Sequence, residues 1–144
     1  MSTNIHQLSL FLENRSGAIN EICQTLKNAN ISIRTLSLAD TEQFGILRLL
    51  VKEWEAARDA LSKAGFVVKI TDVTALTVED RPGGLADILD ALAKHGVNVE
   101  YMYAFTFGNG DKAIMVFRFD DHVKALEALD AEKIDTIKEM DLFK

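Results

Sequence analysis

The strongest constraint on this chain of 144 residues is that its sequence contains the same pattern twice. Residues 10–33 align with residues 76–99, 66 positions further on. The identical pairs are Leu10 and Leu76, Glu13 and Glu79, Arg15 and Arg81, Gly17 and Gly83, Ile22 and Ile88, and Leu26 and Leu92. Later the offset becomes 68, because a turn at 108–112 holds two extra residues. The repeat predicts two copies of one structural unit, which we place at residues 1–71 and 72–144.

Each copy has the pattern strand, helix, strand, strand, helix, strand. Alternating apolar residues and runs of apolar residues mark the strands, and an apolar period of 3.6 marks the helices. In the second strand of the first copy the apolar side chains change from one face to the other near Arg34 and Thr35, which predicts a β-bulge there. The strands predicted for the first copy are 6–12, 31–39, 45–51 and 66–70, with helices at 18–29 and 53–64. The strands predicted for the second copy are 73–79, 97–107, 113–119 and 134–140, with helices at 84–95 and 121–130.

The order βαββαβ is the ferredoxin-like arrangement. We therefore predict an α+β protein with two tandem ferredoxin-like domains, each an antiparallel sheet with its helices on one face. Copies of this size have marginal cores on their own, so we expect them to pack side by side and the chain to form a homodimer. The surfaces expected to be buried by pairing are the edge strands and an aromatic stripe, Tyr101, Tyr103, Phe105 and Phe107.

Composition narrows the classes of function. The net charge of −6 disfavours nucleic-acid binding, which needs Lys and Arg to neutralise phosphates. No stretch approaches the roughly 20 apolar residues that span a membrane, and the N-terminal residues lack the pattern of a secretion signal. The single cysteine, Cys23, suits a reducing cytoplasm, where we place the protein. No catalytic motif or metal-ligand spacing is visible, so we predict no enzyme activity, no metal and no cofactor.

The turn between the first strand and the first helix of each copy is the candidate binding site. In the second copy, Gly83 and Gly84 bring bare backbone to the start of a helix. A helix N-terminus carries unpaired N–H groups and a positive dipole end, which suit a carboxylate or a phosphate. The alternative is a turn whose Pro and Gly serve backbone geometry alone.

The run Asp80-Arg81-Pro82-Gly83-Gly84-Leu85, followed by Leu92 and by Gly96-Val97-Asn98-Val99, resembles the signature of the ACT domain. The resemblance implies a regulatory module that binds a small molecule, an amino acid, and acts on a partner enzyme or regulator. The ligand-binding residues that it implies are Asp80, Arg81, Gly83, Gly84, Leu85 and Asn98 in the second copy, and Asn14, Gly17, Ala18, Ile19 and Ser32 in the first. The first copy matches less well, because Asn14, Ser16 and Ser32 replace Asp, Pro and Asn.

Three other functions stay open. The chain could be an assembly module without a ligand, acting as a regulatory subunit of an enzyme of amino-acid metabolism. It could be a small ferredoxin-like enzyme. The aromatic stripe is also similar to the sheet aromatics with which RRM domains stack RNA bases, although the acidic charge disfavours RNA.

Overall fold

The structure is a computed structural model that describes residues 4–40, 43–105, 110 and 112–143. The chain divides into two compact units. The first unit is His6–Thr71 with Phe143, and the second is Asn4, Ile5 and Asp72–Leu142. The assignment of the copies as separate domains, 1–71 and 72–144, stays a prediction.

The elements follow the two copies in chain order. They are β1 (Ile5–Glu13), α1 (Ala18–Asn28), β2 (Thr35–Asp40), β3 (Phe44–Leu50), α2 (Trp54–Lys63), β4 (Val68–Glu79), α3 (Gly84–Lys94), β5 (Val99–Ala104), β6 (Lys112–Phe119), α4 (His122–Ala131), β7 (Thr136–Ile137) and α5 (Glu139–Leu142). None of the described helices combines the length and the apolar composition needed to cross a membrane.

In the first unit, β3 lies between β2 and β1 and is antiparallel to both. Because side chains alternate across a strand, the leucines at every second position of β1 share one face of the sheet. That face packs against the apolar stripes of α1 and α2. The buried core consists of Leu8, Leu10, Ile22, Leu26, Ile31, Leu47, Leu49, Val51, Ala57 and Leu61.

The second unit repeats this arrangement. Strand β6 lies between β5 and β4, and β7 pairs with the other side of β4. The buried core is formed by Leu76, Leu92, Val97, Phe117, Phe119, Ala125, Ala128 and Leu129. Each unit is thus an antiparallel sheet with helices on one face, which confirms the predicted α+β class and the two ferredoxin-like repeats.

The predicted strands differ from the observed ones mainly at three places in the chain. The strand predicted over 31–39 begins only at Thr35, and pairing with β3 then runs to Asp40 without a shift of register. The strands predicted at 66–70 and 73–79 are one continuous strand, Val68–Glu79. Of the strand predicted over 134–140, only Thr136–Ile137 is extended, and α5 follows it.

The bulge predicted near Arg34 and Thr35 is not observed in the first copy, where pairing with β3 begins at Thr35 and shows no shift of register. The register of β5 against β6 shifts between Val99 and Tyr101, the positions that correspond to Ile33 and Thr35 in the first. Tyr101 and Tyr103 of the aromatic stripe are half-buried and Phe105 is buried. Phe107 lies outside the described residues.

Candidate functional site

The two strand-to-helix turns have the same backbone geometry. Each helix is preceded by a glycine in the left-handed region, Gly17 with φ 88° and Gly83 with φ 84°. Within the described part of the chain, neither helix has a side-chain cap. The first N–H group of each helix is hydrogen-bonded within the preceding turn. The N–H of Ala18 donates to Arg15 O at 3.3 Å, and the N–H of Gly84 donates to Arg81 O at 3.0 Å.

The next N–H groups of each helix are unpaired among the described residues. Those of Ile19 and Asn20 in α1, and of Leu85 and Ala86 in α3, donate to no group that the structure describes. Such unpaired donors, together with the positive end of the helix dipole, attract a carboxylate. The geometry therefore supplies anion-binding groups at both turns.

An arginine braces each turn. In the second copy, Arg81 bonds to the carboxylate of Glu79 at the end of β4, to Pro82 O at 3.1 Å and to Asp87 at 2.7 Å in the first turn of α3. The hydrogen bond that Arg81 donates to Glu79, followed by the one it donates to Asp87, raises the pKa of Arg81. Arg81, which the resemblance implied as a ligand residue, is thus held by carboxylates of the protein itself.

The first copy carries the same brace in a looser form. Arg15 lies 3.4 Å from Glu13 and 3.1 Å from Glu21, the counterparts of Glu79 and Asp87. Its Nη1 donates to Ser16 O at 3.3 Å. The repeat has therefore preserved the brace at both turns, although the distances are shorter in the second.

A small concavity of about 50 Å³ lies at the turn of the first copy. It is bounded by the end of β1, the start of α1, the end of β2 and the start of β3. Its lining residues are Leu12, Glu13, Asn14, Arg15, Ile19, Leu38, Asp40 and Gly45. Of these, Asn14 and Ile19 were implied by the family resemblance.

Leu12, Leu38, Asp40 and Gly45 were not among the candidates from the sequence. A signal for Asp40 was available, however. Strands β1 and β2 are both antiparallel to β3, so they are parallel to each other and end at the same edge of the sheet. A polar residue at the end of β2 must therefore lie near the turn that follows β1.

The predicted residues Asn98 and Ser32 lie elsewhere. In the second unit, Glu79 pairs with Lys112 at one end of β6, whereas the backbone N–H of Asn98 donates to Asp120 beyond the other end. The intervening strand spans about 23 Å at about 3.3 Å per residue. Ser32 precedes β2 in the corresponding place. Neither residue can share a pocket with the turn of its own copy, and their role in ligand binding stays a prediction.

The remaining candidates differ in exposure. Asp80, Gly83 and Gly17 are exposed, Ala18 and Gly84 are buried, and Leu85 is half-buried against the core of the second unit. Gly84 is therefore packed into the turn and not presented to solvent.

The described residues contain no cluster of His, Cys, Asp and Glu that could hold a metal ion. A second concavity, of about 210 Å³, lies in the second unit and contains none of the predicted site residues. It is lined by Leu126, Leu129, Asp130, Ile134, Asp135 and Thr136.

Comparison with known proteins places this chain in a family. The family model described as ACT domain pair matches residues 3–144. A crystal structure of a protein from Bacteroides thetaiotaomicron is similar over 99% of this chain and 97% of that one, with 39% identity and a TM-score of 0.91. The comparison with curated proteins found no match.

Two more distant structures share the fold. The ligand-free regulatory subunit of aspartate kinase from Thermus thermophilus has 15% identity and a TM-score of 0.63, with 90% of this chain and 93% of that chain covered. The regulatory subunit of aspartate kinase from Thermus flavus has 18% identity and a TM-score of 0.61 over the same shares.

Proposed function

The chain belongs to the ACT domain pair family, and from that premise we propose that it is a non-catalytic regulatory protein that binds an amino acid at its strand-to-helix turns. The observation that carries the proposal is the concavity at the first turn, where polar and apolar groups meet in one small space. The ligand-binding residues implied in the second copy remain candidates for a second site.

The groups at the first turn match the parts of an amino acid. The unpaired N–H groups of Ile19 and Asn20 suit its carboxylate. Leu12 and Leu38 offer apolar contact to a side chain. Asp40 supplies a negative charge for an ammonium group.

Binding of the ligand would regulate the protein by shifting the population between two of its arrangements. A ligand that contacts one arrangement of the protein more favourably than another stabilises that arrangement. We propose that this change passes to a partner enzyme or regulator, that the protein works as a homodimer, and that it acts in the cytoplasm.

A thermal-shift panel of the twenty amino acids tests the proposal. A ligand at about 100 times its Kd stabilises by about 2.7 kcal/mol, which is a few degrees for a chain of this size. One or a few amino acids should raise the midpoint, and Asp90→Asn, on the exposed face of α3, should leave that shift intact. If no amino acid shifts the midpoint, the protein is not an amino-acid sensor.

A second function, as an assembly module, has one observation in its favour. Phe11 and Phe44 are 71% and 50% exposed. The register pairs Phe11 with Ile46, which places all three on the sheet face away from the helices. Exposed apolar groups of this kind mark interaction surfaces. Light scattering of Phe11→Ser combined with Phe44→Ser tests this: an assembly module should dissociate, and an unchanged mass contradicts this surface.

A further inference from the structure

We infer that the first copy holds the binding site, and that Gly45 and Asp40 fit it to a small amino acid with a free ammonium group. This inference rests on the proposed function and adds to it the copy, the ligand class and two residues that determine specificity. It also departs from the sequence pattern, which matches the family more closely in the second copy.

Gly45 keeps the concavity open. A β-carbon at this position would lie 3.2 Å from Cδ1 of Leu38 and 3.8 Å from Cγ of Leu12, two side chains that line the concavity. The backbone of Gly45 does not require a left-handed conformation. The absence of a side chain therefore leaves space at the site and does not serve a turn.

The second copy has a methyl group at the equivalent position. Gly45 pairs with Leu12 in the register of β1 and β3, and Ala113 pairs with Val78 in the register of β4 and β6. Since Val78 is 66 residues after Leu12 and Ala113 is 68 residues after Gly45, the two pairs correspond in both sequence and structure. At this position the two copies thus differ by one methyl group, and the first copy has the smaller residue.

Asp40 supplies the selectivity for an ammonium group. Its carboxylate makes no hydrogen bond or ion pair with any residue that the structure describes. The other acidic residue that lines the concavity, Glu13, already lies 3.4 Å from Nε of Arg15. Asp40 is therefore the carboxylate available to a cationic group of a ligand.

The volume limits the size of the ligand. Each enclosed water needs about 10–15 Å³, so a space of about 50 Å³ holds the equivalent of about four waters. This space is about that of the amino group, α-carbon and β-carbon of a small amino acid, and it is smaller than the six-atom ring of phenylalanine. The lining leucines favour a short apolar or hydroxyl side chain over a charged one.

Isothermal titration calorimetry tests the inference with glycine, L-alanine, L-serine, L-phenylalanine and propionate. At least one of the three small amino acids should bind. Propionate, which lacks the ammonium group of alanine, and phenylalanine should each bind at least about ten-fold more weakly. Asp40→Asn should weaken the small amino acid at least about ten-fold, whereas the matched change Asp90→Asn, on the exposed face of α3, should not.

Gly45→Ala provides an independent test because it gives the first copy the residue that the second copy has at the equivalent position. It should abolish binding while the thermal midpoint without ligand changes little, and Ala113→Gly should leave binding unaltered. If Asp40→Asn and Gly45→Ala both bind like the wild type while the wild type binds an amino acid, the inference is wrong and the proposed function stands. If the wild type binds none of the twenty amino acids, both fail.

Discussion

The α-carbon of Gly84 packs so closely against the carbonyl oxygen of Glu79 that a β-carbon at Gly84 would overlap it. The corresponding position in the first copy is Ala18, which is buried with 4% exposure. The turn of the first copy therefore accommodates a methyl group that the turn of the second excludes. This difference agrees with the longer hydrogen bond of the first turn, 3.3 Å against 3.0 Å.

We expect Gly84→Ala to destabilise the protein by about 2–3 kcal/mol, because the backbone of the turn must move to admit the methyl group. The matched change Ala18→Gly should cost less, about 1 kcal/mol, through helix propensity and the loss of one buried methyl group. Urea unfolding measures both. Equal losses for the two variants would mean that the close approach at Glu79 is not maintained in solution.

The acid stability should depend on Glu132. The hydrogen bond with His95, at 2.8 Å, and then that with Lys94, at 3.3 Å, hold the pKa of Glu132 below its ordinary value. A lowered pKa contributes stability that is present above the unfolded-state value of about 4.3 and is lost as the pH falls through the folded value. Midpoints measured from pH 3 to 7 should therefore vary less with pH in Glu132→Gln than in the wild type. Glu127→Gln, which alters an exposed residue of α4, should keep the wild-type profile.

Replacement of Lys133 by glycine should stabilise the protein. It follows α4 with a φ of 58°, and Gly65, in the equivalent position after α2, has a φ of 97°. A residue with a β-carbon is disfavoured in this region by about 1–2 kcal/mol, so Lys133→Gly should stabilise by up to about 1 kcal/mol. Asn30, which follows α1 with a φ of 59°, is a residue type that tolerates this conformation, so Asn30→Gly should gain less. Thermal unfolding of the two variants checks the order, and a loss in Lys133→Gly would contradict it.

Thr74 is fully buried, and its hydroxyl has no hydrogen-bond partner among the residues that the structure describes. An unpaired buried hydroxyl costs about 1–3 kcal/mol. Thr74→Val should therefore stabilise the protein by about 1 kcal/mol in urea unfolding. Thr77→Val, at a half-buried position of the same strand, should change stability by less than about 0.5 kcal/mol. Destabilisation of Thr74→Val would show that the hydroxyl has a partner in solution.

The fold was accessible from the sequence because the repeat and the apolar periods are properties of single residues and their spacing. The period-2 leucines of β1 and the period-3.6 stripe of α1 predict the faces that the structure buries. The predicted strand bounds are wrong where pairing between strands, and not composition, determines where a strand begins. Ile31 and Ile33 have the composition of a strand, but the observed strand begins only at Thr35.

The candidate site was accessible only in part. Asn14 and Ile19 were found because the family resemblance implies ligand-binding residues at the glycine turn. Leu38, Asp40 and Gly45 come from strands that meet the turn only after the sheet has formed. The exclusion of a methyl group at Gly84 depends on a backbone approach that no local pattern encodes.

The strand Val68–Glu79 passes through the boundary between Thr71 and Asp72 without interruption. The fourth strand of the first copy and the first strand of the second copy are therefore one strand. Neither copy can now be deleted or exchanged at that boundary without cutting through a strand.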